Sequence, residues 1–166
     1  MTDESGLAGL NALPESAAEQ ALLSCCSAPE WARAVLAARP FSTDDELFAA
    51  SDAASAALSE SQIVQALAGH PRIGAHTDSA RSAREQAGVA GADASVRAAL
   101  EDGNRAYERQ FGYRYLVCAT GKSGAELLAL LTARLGNDPV TERQVMRTEL
   151  AKINRLRLAG LLGGSA

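Results

Sequence analysis

The chain has 166 residues, 47% hydrophobic and 22% charged: enough length to close a core and an ordinary balance for a globular protein rather than a disordered one. Its net charge of -4 argues against a nucleic-acid-binding surface, which needs a basic face, and leaves room for a local basic pocket. No apolar run approaches the ~20 residues that cross a bilayer. The length reads as one domain over 1–166, with the small, acidic stretch 1–9 flexible. That stretch has neither the basic start nor the apolar run of a secretory leader. The end, Leu161-Leu162-Gly163-Gly164-Ser165-Ala166, carries no peroxisomal address. The cysteines are Cys25, Cys26 and Cys118. An adjacent pair and an odd count favour reduced thiols and a cytoplasmic setting.

Helix signals recur along almost the whole length. Ser16-Ala17-Ala18-Glu19 reads as a capping box behind Pro14. Pro29 opens a second helix, through Trp31 and Val35 towards Arg39-Pro40. Thr43-Asp44-Asp45-Glu46 opens a third. Ser59-Glu60-Ser61-Gln62 opens a fourth, which carries Ile63 and Leu67 and ends at Gly69 in a left-handed conformation. Shorter signals mark a helix over Ser79–Ala87 and another over Asp93–Gln110, stopping before Gly112. Ser123 to Gly136 forms the next, and the last runs from Asp138-Pro139 to about Leu162. The Ala- and Ser-rich stretch 49–57 keeps helical spacing. Only Tyr113–Ala119, aromatic and β-branched, looks extended. With no second strand to pair with, it reads as a buried linker between helices. The fold class is all-α, an irregular bundle of about eight helices.

Histidine is scarce, with only His70 and His76. His70 stands in Gly69-His70-Pro71-Arg72-Ile73-Gly74, just past a helix, where Pro71 bars the helix from resuming. An imidazole on a rigid corner suits proton transfer near neutral pH; a cationic cap on the helix end is the alternative. His76 points to solvent, and no His/Cys spacing fits a metal site. In Ser82-Ala83-Arg84-Glu85-Gln86, helical spacing puts Ser82, Glu85 and Gln86 on one face. This is a hydroxyl, a carboxylate and an amide that can grip a planar polar ligand, or a solvated surface. In the last helix Met146, Leu150 and Ile153 form an apolar stripe that continues to Arg157 and Leu161. An arginine there must meet an anion, such as a substrate carboxylate or an internal acid, or else reach water. Arg155 faces away from that stripe. Cys118, in an apolar run without a flanking base, reads as a structural thiol. Thr120-Gly121-Lys122-Ser123 lacks the upstream glycine of a phosphate loop.

In this order, the His70-Pro71 corner, the Ser82-x-x-Glu85-Gln86 helix and the Phe111-Gly112-Tyr113-Arg114-Tyr115 run resemble the family of decarboxylases acting on 2-oxo-4-hydroxy-4-carboxy-5-ureidoimidazoline (OHCU). So do Leu22 to Cys26, Trp31, Arg39-Pro40-Phe41, Asn104, Tyr107, Glu149, Lys152-Ile153 and Arg157-Leu158. The resemblance implies a helical homodimer with no metal or organic cofactor, releasing (S)-allantoin from a small ureide. It implies that His70 is catalytic, with Glu85 beside it. It implies that Pro71, Ser82, Ala83, Arg84, Glu85, Gln86, Tyr115, Leu116, Val117, Cys118, Ala119 and Arg157 line the substrate pocket. Tyr115 stands where many relatives have Phe. The competing reading is a helical domain that binds a ligand or a partner without turning anything over.

Overall fold

The computed structural model describes residues 6–75 and 79–163; His76 lies outside them. Among the described residues the chain is helical and forms no strand. In chain order the helices are α1 (Gly6–Ala12), α2 (Glu15–Cys25), α3 (Pro29–Ala37), α4 (Asp44–Ala56), α5 (Glu60–Leu67), α6 (Ala80–Glu85), α7 (Ala87–Ala90), α8 (Ala94–Phe111), α9 (Gly124–Leu135) and α10 (Pro139–Leu161). None of them is long and apolar enough to cross a membrane.

The cap chemistry explains most of the boundaries. Thr43, Ser59, Ser79 and Ser123 each occupy an N-cap and accept a backbone N–H of the first turn, and Ser59 with Gln62 completes a reciprocal capping box. Gly112 ends α8 with φ of +82°, a conformation that costs glycine nothing.

Four boundaries depart from the sequence reading. α1 begins inside the stretch 1–9 expected to be flexible, because Gly9 and Leu10 are buried there. α2 starts at Glu15 behind Pro14 with no side-chain cap. Proline's fixed φ and Glu15 at the positive helix end replace the expected Ser16 box. The helix expected over Ser79–Ala87 breaks at Gln86 (φ -107°, ψ 22°), which separates α6 from the single turn α7. Gly69 is not among the residues with positive φ; it is small because a Cβ there would meet the Ser27 hydroxyl.

The chain divides into two compact units, Met1–Gly69 with Ala151–Ala166, and His70–Leu150. In the first, α3 packs on both α2 and α4. Leu22, Trp31, Val35, Leu47 and Ile63 are buried. Trp31 Nε1 donates to Ser51 Oγ (3.2 Å), and Asn154 Nδ2 donates to Ser55 Oγ (3.2 Å). Asn11 and Phe41 exchange two hydrogen bonds of 2.8 and 2.9 Å, while Arg39 caps the carbonyls of Leu10 and Leu13, both at 2.9 Å. On the exposed side Arg155 pairs with Asp52 (3.0 Å), in line with its reading as the arginine that faces away.

In the second unit α9 packs against α8 and α7. Its core is Ile73, Val89, Leu100, Tyr107, Tyr115, Val117, Ala119, Leu127 and Leu131. Helices approach closely where side chains vanish. A Cβ on Gly103 would collide with Leu131, and one on Gly88 would overlap the carbonyl of Lys122.

Candidate functional site

Most residues singled out from the sequence fall in the second unit. His70 is buried at 3% exposure, with Nε2 shut off from solvent. Its carbonyl accepts from Arg114 Nη1 (2.6 Å), so the corner is fastened from below by the Phe-Gly-aromatic run. Gln86 fastens it from the other side. Its Oε1 accepts the Gly74 N–H (2.9 Å), and its Nε2 lies 3.4 Å from the carbonyls of both Pro71 and Arg72. Two segments distant in sequence, the His70-Pro71 corner and the end of α6, are thereby joined. Asn104 Nδ2 adds a third tie, to the Ile73 carbonyl (2.9 Å).

On α6 the exposure pattern follows the spacing argument. Ser82 is buried, Glu85 and Gln86 are half-buried, and Ala83 and Arg84 face solvent. Glu85 stands 4.0 Å from Arg81 one turn earlier. The Gln86 amide, read as a ligand contact, is engaged with the loop backbone.

Residues 114–119 run without helix, turn or strand pairing, and Tyr115 to Ala119 are all buried. The side chains of Tyr115, Val117 and Ala119 enter the core cluster, the alternation of an extended chain. A buried backbone must find partners for its polar groups, and here side chains supply them. Arg134 Nη1 donates to the Leu116 carbonyl (2.5 Å), Glu149 Oε1 accepts the Cys118 N–H (3.2 Å), and Lys122 Nζ donates to the Cys118 carbonyl (2.9 Å). Among the described residues Val117 takes no backbone partner. Lys122, the lysine of the phosphate-loop-like phrase, is thus turned onto its own chain. Cys118 is a free, buried thiol.

The sequence reading missed the residues behind this segment. Glu142 is fully buried and receives Arg134 Nε (2.7 Å), the Tyr107 hydroxyl (2.5 Å) and Asn137 Nδ2 (3.0 Å). The Arg134 guanidinium lies 4.6 Å from the centre of the Tyr115 ring. Burial works against the charge of Arg134, but the Glu142 carboxylate outweighs it and holds the pKa above its usual value. Burial, then the bond to Glu142, lifts the Tyr107 phenol far above its ordinary range; burial pushes Tyr115 up to about 12. The signal for Arg134 was present: it lies on the stripe of Leu127 and Leu131, two turns after Leu127.

Arg157 belongs to the first unit. It is buried, and its Nη1 donates to the carbonyls of Cys25 (3.2 Å) and Gly69 (3.5 Å), the latter one residue before His70. Leu161, the next position on that stripe, is 37% exposed, so the buried stripe ends with Arg157 and Leu158.

A groove of about 830 Å³ opens in the second unit between Arg72 and Gly74 on the loop and Arg97, Asn104 and Glu108 on α8. None of the residues singled out for chemistry lines it. Among the described residues no group of His, Cys, Asp and Glu is arranged to hold a metal ion.

The OHCU decarboxylase family model matches residues 11–159. The uric acid degradation bifunctional protein TTL of Arabidopsis thaliana is 29% identical over 150 residues, 86% of this chain and 46% of its own. The 2-oxo-4-hydroxy-4-carboxy-5-ureidoimidazoline decarboxylase of Amia calva is 37% identical over 89 residues, 54% of this chain and 51% of its own. The chain spans about half the length of these curated relatives. The crystal structure of an OHCU decarboxylase in the presence of (S)-allantoin superposes with a TM-score of 0.77 at 26% identity, covering 87% of this chain and 98% of that one.

Proposed function

This chain belongs to the OHCU decarboxylase family, and from that premise we propose that it converts OHCU to (S)-allantoin in the breakdown of uric acid. The observation that carries the reading is the fastening of the His70-Pro71 corner to the end of α6 through Gln86. It ties the loop that carries the buried His70 to the helix that carries the half-buried Glu85, which supports reading the imidazole and the carboxylate as the two groups of a proton transfer.

The substrate's chemistry makes a resident electron sink unnecessary. The departing carboxylate sits on a carbon that also bears a hydroxyl, beside a ring imine. As the carbon–carbon bond breaks, carbon dioxide leaves and the electron pair flows into the imine. The resulting enol gives its hydroxyl proton to neutral His70 and accepts a proton on one face of the neighbouring ring carbon, forming the ketone of allantoin. One proton is taken up from solvent overall. Glu85 orients His70 or relays the proton. Ser82 and the backbone of Leu116 to Ala119 hold the ureido and ring amides, with Pro71, Ala83, Arg84 and Tyr115 completing the surroundings. A fixed one-sided geometry supplies both rate and handedness.

The free thiols of Cys25, Cys26 and Cys118 agree with a reducing cytoplasmic setting, and we place the enzyme there as a homodimer. The test follows circular dichroism during breakdown of freshly generated OHCU, which decays unaided to a racemate. Faster decay with a single-handed (S)-allantoin signal, lost in His70→Ala, is the expected result. Unaccelerated decay to a racemate would leave a helical ligand- or partner-binding domain as the better account.

A further inference from the structure

The backbone at 115–119 is held in an unusual way. A buried extended chain ordinarily meets its hydrogen-bonding needs from a neighbouring strand, and alternate residues turn their N–H and C=O groups to opposite sides. Here the residues held by side chains are alternate ones. Leu116 is held through its carbonyl by Arg134, and Cys118 through its N–H by Glu149 and through its carbonyl by Lys122. Val117 lies between them, its side chain locked in the core.

We infer that Glu149 and Arg134 are positioning residues that replace a missing neighbouring strand, holding one side of residues 116–118 so that the Val117 backbone is presented to a ureide on the other. A ureide, –NH–CO–NH–, carries the donor and acceptor pattern of a peptide unit. It can therefore pair with an unpaired backbone as an added strand does. This inference rests on the OHCU decarboxylase reading and supplies the device behind its substrate contact. It also assigns a role to Glu149, which the sequence singled out only within a resemblance.

The holding groups are themselves fixed. Arg134 is anchored by Glu142, which is anchored by Tyr107 and Asn137. Glu149 is 7% exposed on α10, where neighbouring turns restrict its reach. At the Cys118 N–H it is an acceptor oxygen that does the holding, and glutamine keeps one at the same reach, so it should serve nearly as well. Aspartate, shorter by one methylene, should not.

The experiment compares Glu149→Gln, Glu149→Asp and Glu149→Ala with the wild type in three measurements. The first is amide hydrogen exchange at Cys118 and Val117 without ligand. The second is exchange at Val117 with (S)-allantoin added as the ureide probe. The third is KM and kcat on OHCU. In Glu149→Ala and Glu149→Asp the Cys118 amide should lose at least tenfold protection and KM should rise about tenfold, with kcat falling less than threefold. Glu149→Gln should stay within about threefold of wild type in each. In the wild type, (S)-allantoin should slow exchange at Val117. If Glu149→Ala does not fold, Glu149→Asp and Glu149→Gln decide the matter.

Unchanged KM in a folded Glu149→Asp or Glu149→Ala variant whose Cys118 amide is deprotected would overturn the inference, because Glu149 would then serve stability alone. So would a Glu149→Gln variant as impaired as the alanine one, or a Val117 amide indifferent to the ureide. Failure of the decarboxylase reading has a different signature: the wild type itself leaves OHCU decay unaccelerated while the Cys118 protection pattern still follows the Glu149 series.

Discussion

The two units answer the same need by different means. In the first, the buried contacts of Trp31 with Ser51 and of Asn154 with Ser55 join neutral groups, and Arg39 spends its charge on backbone carbonyls. In the second, a fully buried carboxylate, Glu142, sits at the centre and gathers Arg134, Tyr107 and Asn137. A neutral hydrogen bond contributes about 1 kcal/mol net. A buried ion pair is asymmetric: its net worth is modest, but removal of one partner strands the other at a cost of about 3–5 kcal/mol. The second unit, which carries the candidate catalytic residues, is therefore the more exposed to single substitutions. The chain's lone tryptophan, Trp31, lies in the first unit, and all three of its tyrosines, Tyr107, Tyr113 and Tyr115, lie in the second. Tryptophan fluorescence and tyrosine near-UV dichroism thus report on the two units separately.

The largest effect expected is from Arg134→Met. Glu142 would be left buried without its cation, and the tyrosine-monitored urea transition should lose about 3–5 kcal/mol. Adding Glu142→Leu should recover much of that loss, since the stranded charge is gone. An equal shift of the tryptophan transition would break the comparison by showing that the units unfold as one. A fully additive double variant would show that the charge is not what matters.

Alkaline pH should separate the units next. Tyr107, Tyr113 and Tyr115 all have pKa values raised above 10.0 by burial first, Tyr115 to about 12. Unfolded phenols lose protons at lower pH than the folded ones, so the contribution is fully present below pH 10 and declines as pH rises from 10 towards 12. For Tyr115 this amounts to roughly 1.4 kcal/mol per pH unit across that window. Tyr115→Phe should flatten the fall in unfolding free energy measured by urea titration at a series of pH values. A slope unchanged in that variant would place the titration elsewhere.

The smallest effect belongs to the first unit. Ser51→Ala leaves Trp31 Nε1 short of its partner and should cost about 1 kcal/mol, read as a displaced tryptophan fluorescence transition. A loss as large as that of Arg134→Met would erase the distinction between neutral and charged networks.

Helix starts were the most legible part of the sequence, because a cap is a local event. Ser59 and Gln62 satisfy each other within one turn, and Gly112 ends α8 by its own backbone freedom. The burial of an extended run without a partner strand was legible too, from its apolar residues and the lack of a second strand, although it covers Tyr115 to Ala119 and leaves Tyr113 and Arg114 half-buried. What could not be read was who holds it, because Arg134, Glu149 and Lys122 reach it from different places along the chain. Arg134 could have been flagged by the reasoning that flagged Arg157, a charge on an apolar stripe. Its partner Glu142 lies beyond the break at Gly136, where helical spacing carries no information. Ser82, Glu85 and Gln86 did share a face, but spacing could not tell a ligand contact from the loop contact that Gln86 makes.

Gly88 carries a consequence for how such a sequence can vary. The single turn α7 lies so close to the Lys122 carbonyl that even a methyl group would overlap it. Lys122 is the residue whose side chain secures Cys118. Any side chain at 88 must displace the bend that follows the candidate binding segment. Descendants of this chain are therefore free to drift at Ala87 and Ala90, both open to solvent, while position 88 admits a single amino acid unless the Lys122 bend is rebuilt in the same step.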